Sequence, residues 1–152
     1  QPILNTMANF YSTGEKKEFN KIVFRALLLI VAFGVLCLLG AYILGIPVLN
    51  ILYSVDISDY KTHLLIIIFG AVLYSMSTLL SAALTTVRYT FVQFIVFGIS
   101  SIIAFFLSRF LIVQYSIYGA AISYLITMTC QFGLYVIIYF VIMKKIDFKE
   151  VV

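Results

Sequence analysis

Charge is what this sequence has least of. Asp, Glu, Lys and Arg together make up 11% of its 152 residues, against roughly 25% in an ordinary soluble domain. The few charges are also segregated. None occurs over residues 26–55, 64–87, 89–108 or 110–143, runs of 30, 24, 20 and 34 residues. Tryptophan is absent, proline occurs twice, and there is one histidine. With no second His or Cys at ligand spacing, His63 builds no metal site. It stands beside Asp59 and Lys61 at a helix start, where a solvated or interfacial imidazole is the plain reading. No Ser–His–Asp grouping and no Gly-rich phosphate loop can be placed, so neither hydrolase nor nucleotide chemistry is expected, and no cofactor. Cys37 and Cys130 lie near the middle of apolar runs and read as packing residues. No Asp or Glu lies inside any apolar run. Intramembrane carboxylates are the usual marks of proton and sodium relays, so a carboxylate-based coupling site is not expected in this chain.

What the sequence has in abundance is apolar length. Hydrophobic residues make up 64% of the chain, and the mean hydropathy is +1.15. A helix needs about 20 apolar residues at 1.5 Å rise each to cross a hydrocarbon core of about 30 Å, and each charge-free run is long enough. The runs are too continuous for the alternation of a membrane β-barrel. The expected fold is all-α and integral to a membrane, with four transmembrane helices at about 22–45, 64–84, 91–113 and 119–143. Residues 1–21 read as the end of a preceding helix, a turn at Ser12-Thr13-Gly14 and a charged amphipathic stretch. They are too polar for a secretory signal peptide. Residues 48–53 read as a short interfacial stretch beyond Pro47, and residues 144–152 as a charged, exposed tail. Because the chain opens at Gln1 inside an apparent helix end, a fragment of a longer protein is expected.

Basic residues orient the spans. Lys16, Lys17, Lys21, Arg25, Arg88, Lys144, Lys145 and Lys149 fall on one side if the spans alternate, and only Lys61 and Arg109 on the other. By the positive-inside rule both ends are cytoplasmic. The same partition assigns the net charge of +4 to membrane topology rather than to nucleic acid. Tyr53, Tyr60, Tyr115 and Tyr118 then cluster at the outer boundary, as interfacial aromatics do.

Three polar stripes interrupt the spans at helical spacing: Ser77, Ser81 and Thr85; Gly98, Ser101, Phe105, Ser108 and Arg109; and Ser123, Thr127 and Gln131, extended by Tyr135 and Tyr139. Small and hydroxylated residues so spaced let membrane helices approach and hydrogen-bond one another. The functional alternative is the lining of a wet cavity, with Arg109, Ser101, Ser123, Thr127 and Gln131 along a substrate pathway. Arg109 lies about 6 Å below the end of its span by helix rise. It either snorkels to the headgroups or faces the bundle interior to bind an anion.

The order of these features resembles the C-terminal part of a Wzx-type oligosaccharide flippase. That family sits in the superfamily of multidrug, oligosaccharidyl-lipid and polysaccharide exporters. Pro2, Tyr11, Gly14, Glu18-Phe19 and Lys21 resemble the family's end of helix eight. Leu52-Tyr53 and Tyr60 resemble its outer loop, although Ser54 stands where a glycine is usual. Residues 82–88 resemble its short basic inner turn, and Tyr118-Gly119-Ala120-Ala121-Ile122-Ser123 its common GAA opening of the last span. The resemblance implies helices nine to twelve of a twelve-helix, two-lobe transporter in a bacterial or archaeal cell membrane. Its cargo would be an undecaprenyl-diphosphate-linked oligosaccharide, flipped outward for O-antigen, capsule, teichoic acid or exopolysaccharide assembly. Its partners would be that lipid-linked glycan, membrane lipids and the preceding helices of the same protein. It would be a carrier and not an enzyme. A multidrug extruder of the same superfamily, and a membrane glycan polymerase or acyltransferase, are the alternatives.

Overall fold

The computed structural model describes residues 2–54 and 56–146, Pro2 by its backbone alone. Gln1, Val55 and most of the expected tail, 147–152, lie outside the described residues. Among the described residues every regular element is helical: α1 (Pro2–Ser12), α2 (Lys16–Gly40), α3 (Ile46–Tyr53), α4 (Lys61–Thr86) and α5 (Phe91–Lys145). A π-helical turn, Ala41–Gly45, joins α2 to α3, and a 3₁₀ turn, Ser58–Tyr60, leads into α4. Three helical stretches are long and apolar enough to cross a membrane: Lys16–Tyr53, Ser58–Thr86 and Phe91–Lys145.

α1 ends where expected. Gly14 takes φ 76°, the Glu15 N–H donates to the Phe10 carbonyl at 2.9 Å, and the Gly14 N–H to that of Tyr11 at 3.3 Å. Such a left-handed cap satisfies the last carbonyls of a helix. The charged stretch that follows, Lys16–Lys21, forms the first turns of α2. A second left-handed cap closes α4. Arg88 takes φ 66° and the Tyr89 N–H reaches back to Leu84 at 3.0 Å. A non-glycine residue occupies the position glycine favours.

One boundary departs from expectation. The helix does not stop at Gly45 before Pro47 but runs on to Tyr53. Proline has no N–H to give the preceding turn and its ring crowds the carbonyl four residues back. The widened turn at Ala41–Gly45 accommodates both, a usual role of a π-bulge. Residues 46–53 therefore continue the same rod. Within α5, 55 residues long, the helix is broken at Ser116 (φ 48°, ψ −123°), between the spans expected at 91–113 and 119–143. In a straight helix residues 108 and 123 would stand about 22 Å apart, yet their hydroxyl oxygens lie 3.3 Å apart. The rings of Phe97 and Tyr135 meet edge-on at 6.4 Å. The two arms fold back antiparallel about a one-residue reversal. Gly119 makes this possible, because a Cβ there would lie 2.0 Å from the Leu111 carbonyl oxygen.

The core gathers at the end of the bundle that carries most of the basic residues. Met7, Phe19, Val23, Leu80, Leu84, Val87, Val96 and Tyr135 are buried there. The Lys16 ammonium donates to the Ile146 carbonyl at 2.7 Å, and the Tyr139 hydroxyl to the Asn20 side-chain oxygen at 2.7 Å. These bonds tie the start of α2 to the end of α5. Away from this end the large side chains turn outward. Phe24, Leu36, Phe110 and Phe140 are each about two-thirds exposed, the arrangement expected where hydrocarbon is the surrounding medium.

Candidate functional site

The polar residues form a buried seam among α4 and the two arms of α5. On the second arm, Ser123, Thr127 and Gln131 are all at least nine-tenths buried, and Tyr135 is fully so. Their spacing of four puts them on one helical face. The Thr127 hydroxyl donates to the Ser123 carbonyl at 2.8 Å, and that of Ser123 to Ala120 at 2.9 Å. α4 runs parallel to this arm. The Tyr118 ring meets His63 at 5.2 Å, and Tyr124 packs so closely on Gly70 that a Cβ there would be 2.6 Å from the ring. That register sets Ser77 level with Gln131 and Ser81 level with Tyr135. The first arm runs antiparallel, setting Ser100 level with Gln131. Ser77, Ser81 and Ser100 are all buried. In hydrocarbon there is no hydrophobic drive between helices, so close approach of small residues and interhelical hydrogen bonds hold them together.

Of the five residues expected along a pathway, the structure brings together Ser123, Thr127 and Gln131. Ser101 and Arg109 do not join them. Both are exposed on the outer side of the first arm, in an open cleft of about 670 Å³ shared with Phe105, Ser108 and Val113. Among the described residues Ser108 connects the two groups, through Ser123. The adjacent serines 100 and 101 explain the difference. They differ by about 100° around the helix, and packing of Val96 and Ser100 inward carries Ser101 outward.

Other features were not legible as a set. A groove of about 570 Å³ runs between α1, α4 and the start of α5, with Asn5, Thr78, Ser81, Thr85, Thr86 and Gln93 along it. The Gln93 amide donates to the Thr85 hydroxyl and, at 3.4 Å, to the Ser81 carbonyl. Asn5 and Gln93 are single amides far apart in sequence, and only the α4–α5 turn brings Gln93 to α4. A second cleft, about 640 Å³ between α1, α2 and α4, is lined almost wholly by apolar residues, among them Phe33, Ile68 and Val72.

At the other end, the Lys61 ammonium sits 3.8 Å from the centre of the Tyr42 ring. The His63 ring lies between Tyr60 and Tyr118, with its Nδ1 buried and without a partner. Beyond α3, the Asp56 carboxylate accepts from the Ser58 hydroxyl at 2.5 Å, the Ser58 N–H at 3.0 Å and the Asn50 amide at 3.3 Å. These donors hold its pKa below the usual carboxylate value, the Ser58 hydroxyl most of all. No group of three or more His, Cys, Asp or Glu that could hold a metal ion occurs among the described residues. Cys37 and Cys130 are unpaired thiols.

No family model, curated protein or solved structure matches this chain.

Proposed function

We propose that this chain is part of a transporter that flips lipid-linked oligosaccharide, of the undecaprenyl-diphosphate type, outward across a bacterial or archaeal cell membrane. In this reading the reversal at Ser116 divides α5 into two spans, so the chain crosses four times. These are helices nine to twelve of a twelve-helix, two-lobe carrier, and both ends lie in the cytoplasm with Arg88. The observation that carries the reading is the inward turn of the Ser123–Thr127–Gln131 face in a bundle whose large apolar side chains point outward. A carrier of a hydroxyl-rich, anionic cargo uses neutral donors and acceptors in its interior and cations for the pyrophosphate. Two glycines of the resembling motifs also occupy positions that need glycine: Gly14 at positive φ, and Gly119 against the Leu111 carbonyl.

Two experiments test the reading. Single cysteines at Asp56 and at Tyr89, both exposed, in a background lacking Cys37 and Cys130, should label from opposite sides with an impermeant thiol reagent. Equal labelling from outside would overturn the four-span map. In a flippase-deficient strain, the full-length parent should restore surface glycan. Arg109→Lys keeps charge and reach but loses the bidentate fork. Full export by that variant removes pyrophosphate clamping from the roles of Arg109, and unchanged export by Arg109→Gln leaves it none. Failure of the parent itself to restore glycan would remove the flippase reading.

A further inference from the structure

Two hydroxyl oxygens deep in the seam have no hydrogen-bond partner among the described residues: Oη of Tyr135 and Oγ of Ser100. Their residues are 0% and 4% exposed. Unpaired buried polar groups are rare in native structures and mark strain, function or a bound water or ion. In a membrane interior no solvent relieves them. Tyr135 does not stand far from polar company. Its hydroxyl lies near Ser81, outside hydrogen-bond geometry. Ser81 in turn lines the groove that carries Asn5, Thr85, Thr86 and Gln93. Ser100 stands one turn from Phe97, whose ring meets that of Tyr135.

We propose that the groove between α1, α4 and α5 is a water inlet, ending in a buried water site at Tyr135 and Ser81. The groove has the room and the lining. At about 570 Å³ it far exceeds the volume of single waters, and its amides and hydroxyls are good partners for them. Ser81 is the gate between groove and seam, 8% exposed and level with Tyr135. A bound water needs two to four polar partners, and the Tyr135 and Ser81 hydroxyls supply two. A cation is the poorer occupant, since no carboxylate lies on either arm of α5 or on α4 to offset its charge. The inference requires only that the chain be embedded in a membrane, and is independent of what cargo it moves.

Hydroxyl-radical footprinting by X-ray pulses, in ¹⁸O-enriched water, tests it on the full chain in lipid nanodiscs. Radicals formed at a held water oxidise the side chains it touches. Tyr135 should be oxidised several-fold faster than Tyr139. The latter lies one turn further along the same face, is the more exposed of the two, and its hydroxyl already donates to Asn20. Blocking the inlet by Gln93→Leu, or by the milder Thr85→Val, should bring Tyr135 down to the Tyr139 rate without changing Tyr139. Oxidation of wild-type Tyr135 no faster than Tyr139 would overturn the water site. Fast oxidation that both variants leave untouched would overturn the groove as its route. Glycan export is not measured, so a failure here leaves the transport reading standing, and the reverse holds too.

Discussion

Adding one methyl group at Gly119 should open the hairpin of α5. The Cβ of Gly119→Ala would lie 2.0 Å from the Leu111 carbonyl oxygen and 2.4 Å from its carbon. Ordinary contact begins at about 3.5 Å, so the arms must part by roughly 1.5 Å at the turn. The obstructing atoms are main chain, part of a helical carbonyl ladder, and cannot rotate aside as a side-chain tip would. Overpacking of this kind costs about 1–3 kcal/mol, and a main-chain obstacle belongs at the upper end of that range. A difference of that size corresponds to about 5- to 150-fold in the population of the closed hairpin. The contact that reports closure is Ser108 to Ser123, with oxygens 3.3 Å apart. Cysteines at those two positions, in a background without Cys37 and Cys130, should cross-link readily under mild oxidation when residue 119 is glycine. With Gly119→Ala the cross-link should form many times more slowly, and with Gly119→Val more slowly still. Both variants should also unfold at lower temperature in detergent. Equal cross-linking across all three, with unchanged thermal unfolding, would show that the arms do not meet through Gly119, and no cross-link even with glycine at 119 would refute the fold-back at Ser116.

Ser116 adopts φ 48° and ψ −123°, a region costly to any residue with a Cβ. Ser116→Gly should raise stability by about 1 kcal/mol, read as a higher unfolding midpoint; a lower midpoint would mean the serine side chain holds the turn. Gln131 is 3% exposed, so Gln131→Leu should lower protein level and thermal stability together, by roughly 1 kcal/mol, whereas loss of export at unchanged protein level would make the residue cavity lining. The folded pKa of Asp56 lies below its unfolded value, so the order it lends to Asn50 and Ser58 is complete above the usual carboxylate range and is lost as pH falls through the lowered value. An NMR titration should therefore find its midpoint below that of a free aspartate and moved up in Ser58→Ala, and an unmoved midpoint would discard the Ser58 contact.

Composition and spacing were enough for the medium and the class of fold. Hydrocarbon imposes one rule on a chain, that every backbone polar group be satisfied within the segment, and continuous charge-free runs satisfy it only as helices. The cap at Gly14 was legible too, because a left-handed turn is a local demand on one residue. The stripe of Ser123, Thr127 and Gln131 was visible as a periodicity, and its burial agrees with the need of an amide for partners.

Tertiary structure decided what depends on neighbours. Pro47 is a stop signal by itself, but a widened turn four residues earlier lets the helix pass, and no local pattern at Ala41–Gly45 announces it. The choice of Ser100 over Ser101 as the inward serine turns on 100° of rotation, set by how Val96 and Phe97 meet the other arm. Arg109 has the same sequence neighbours whether it points in or out, and only the packing of the hairpin leaves it exposed. The inlet joins Asn5, Ser81 and Gln93 across three helices. Helical periodicity relates residues on one rod, while the relation between rods comes from contacts such as Gly70 with Tyr124 and Gly119 with Leu111, which exist only once the helices have packed.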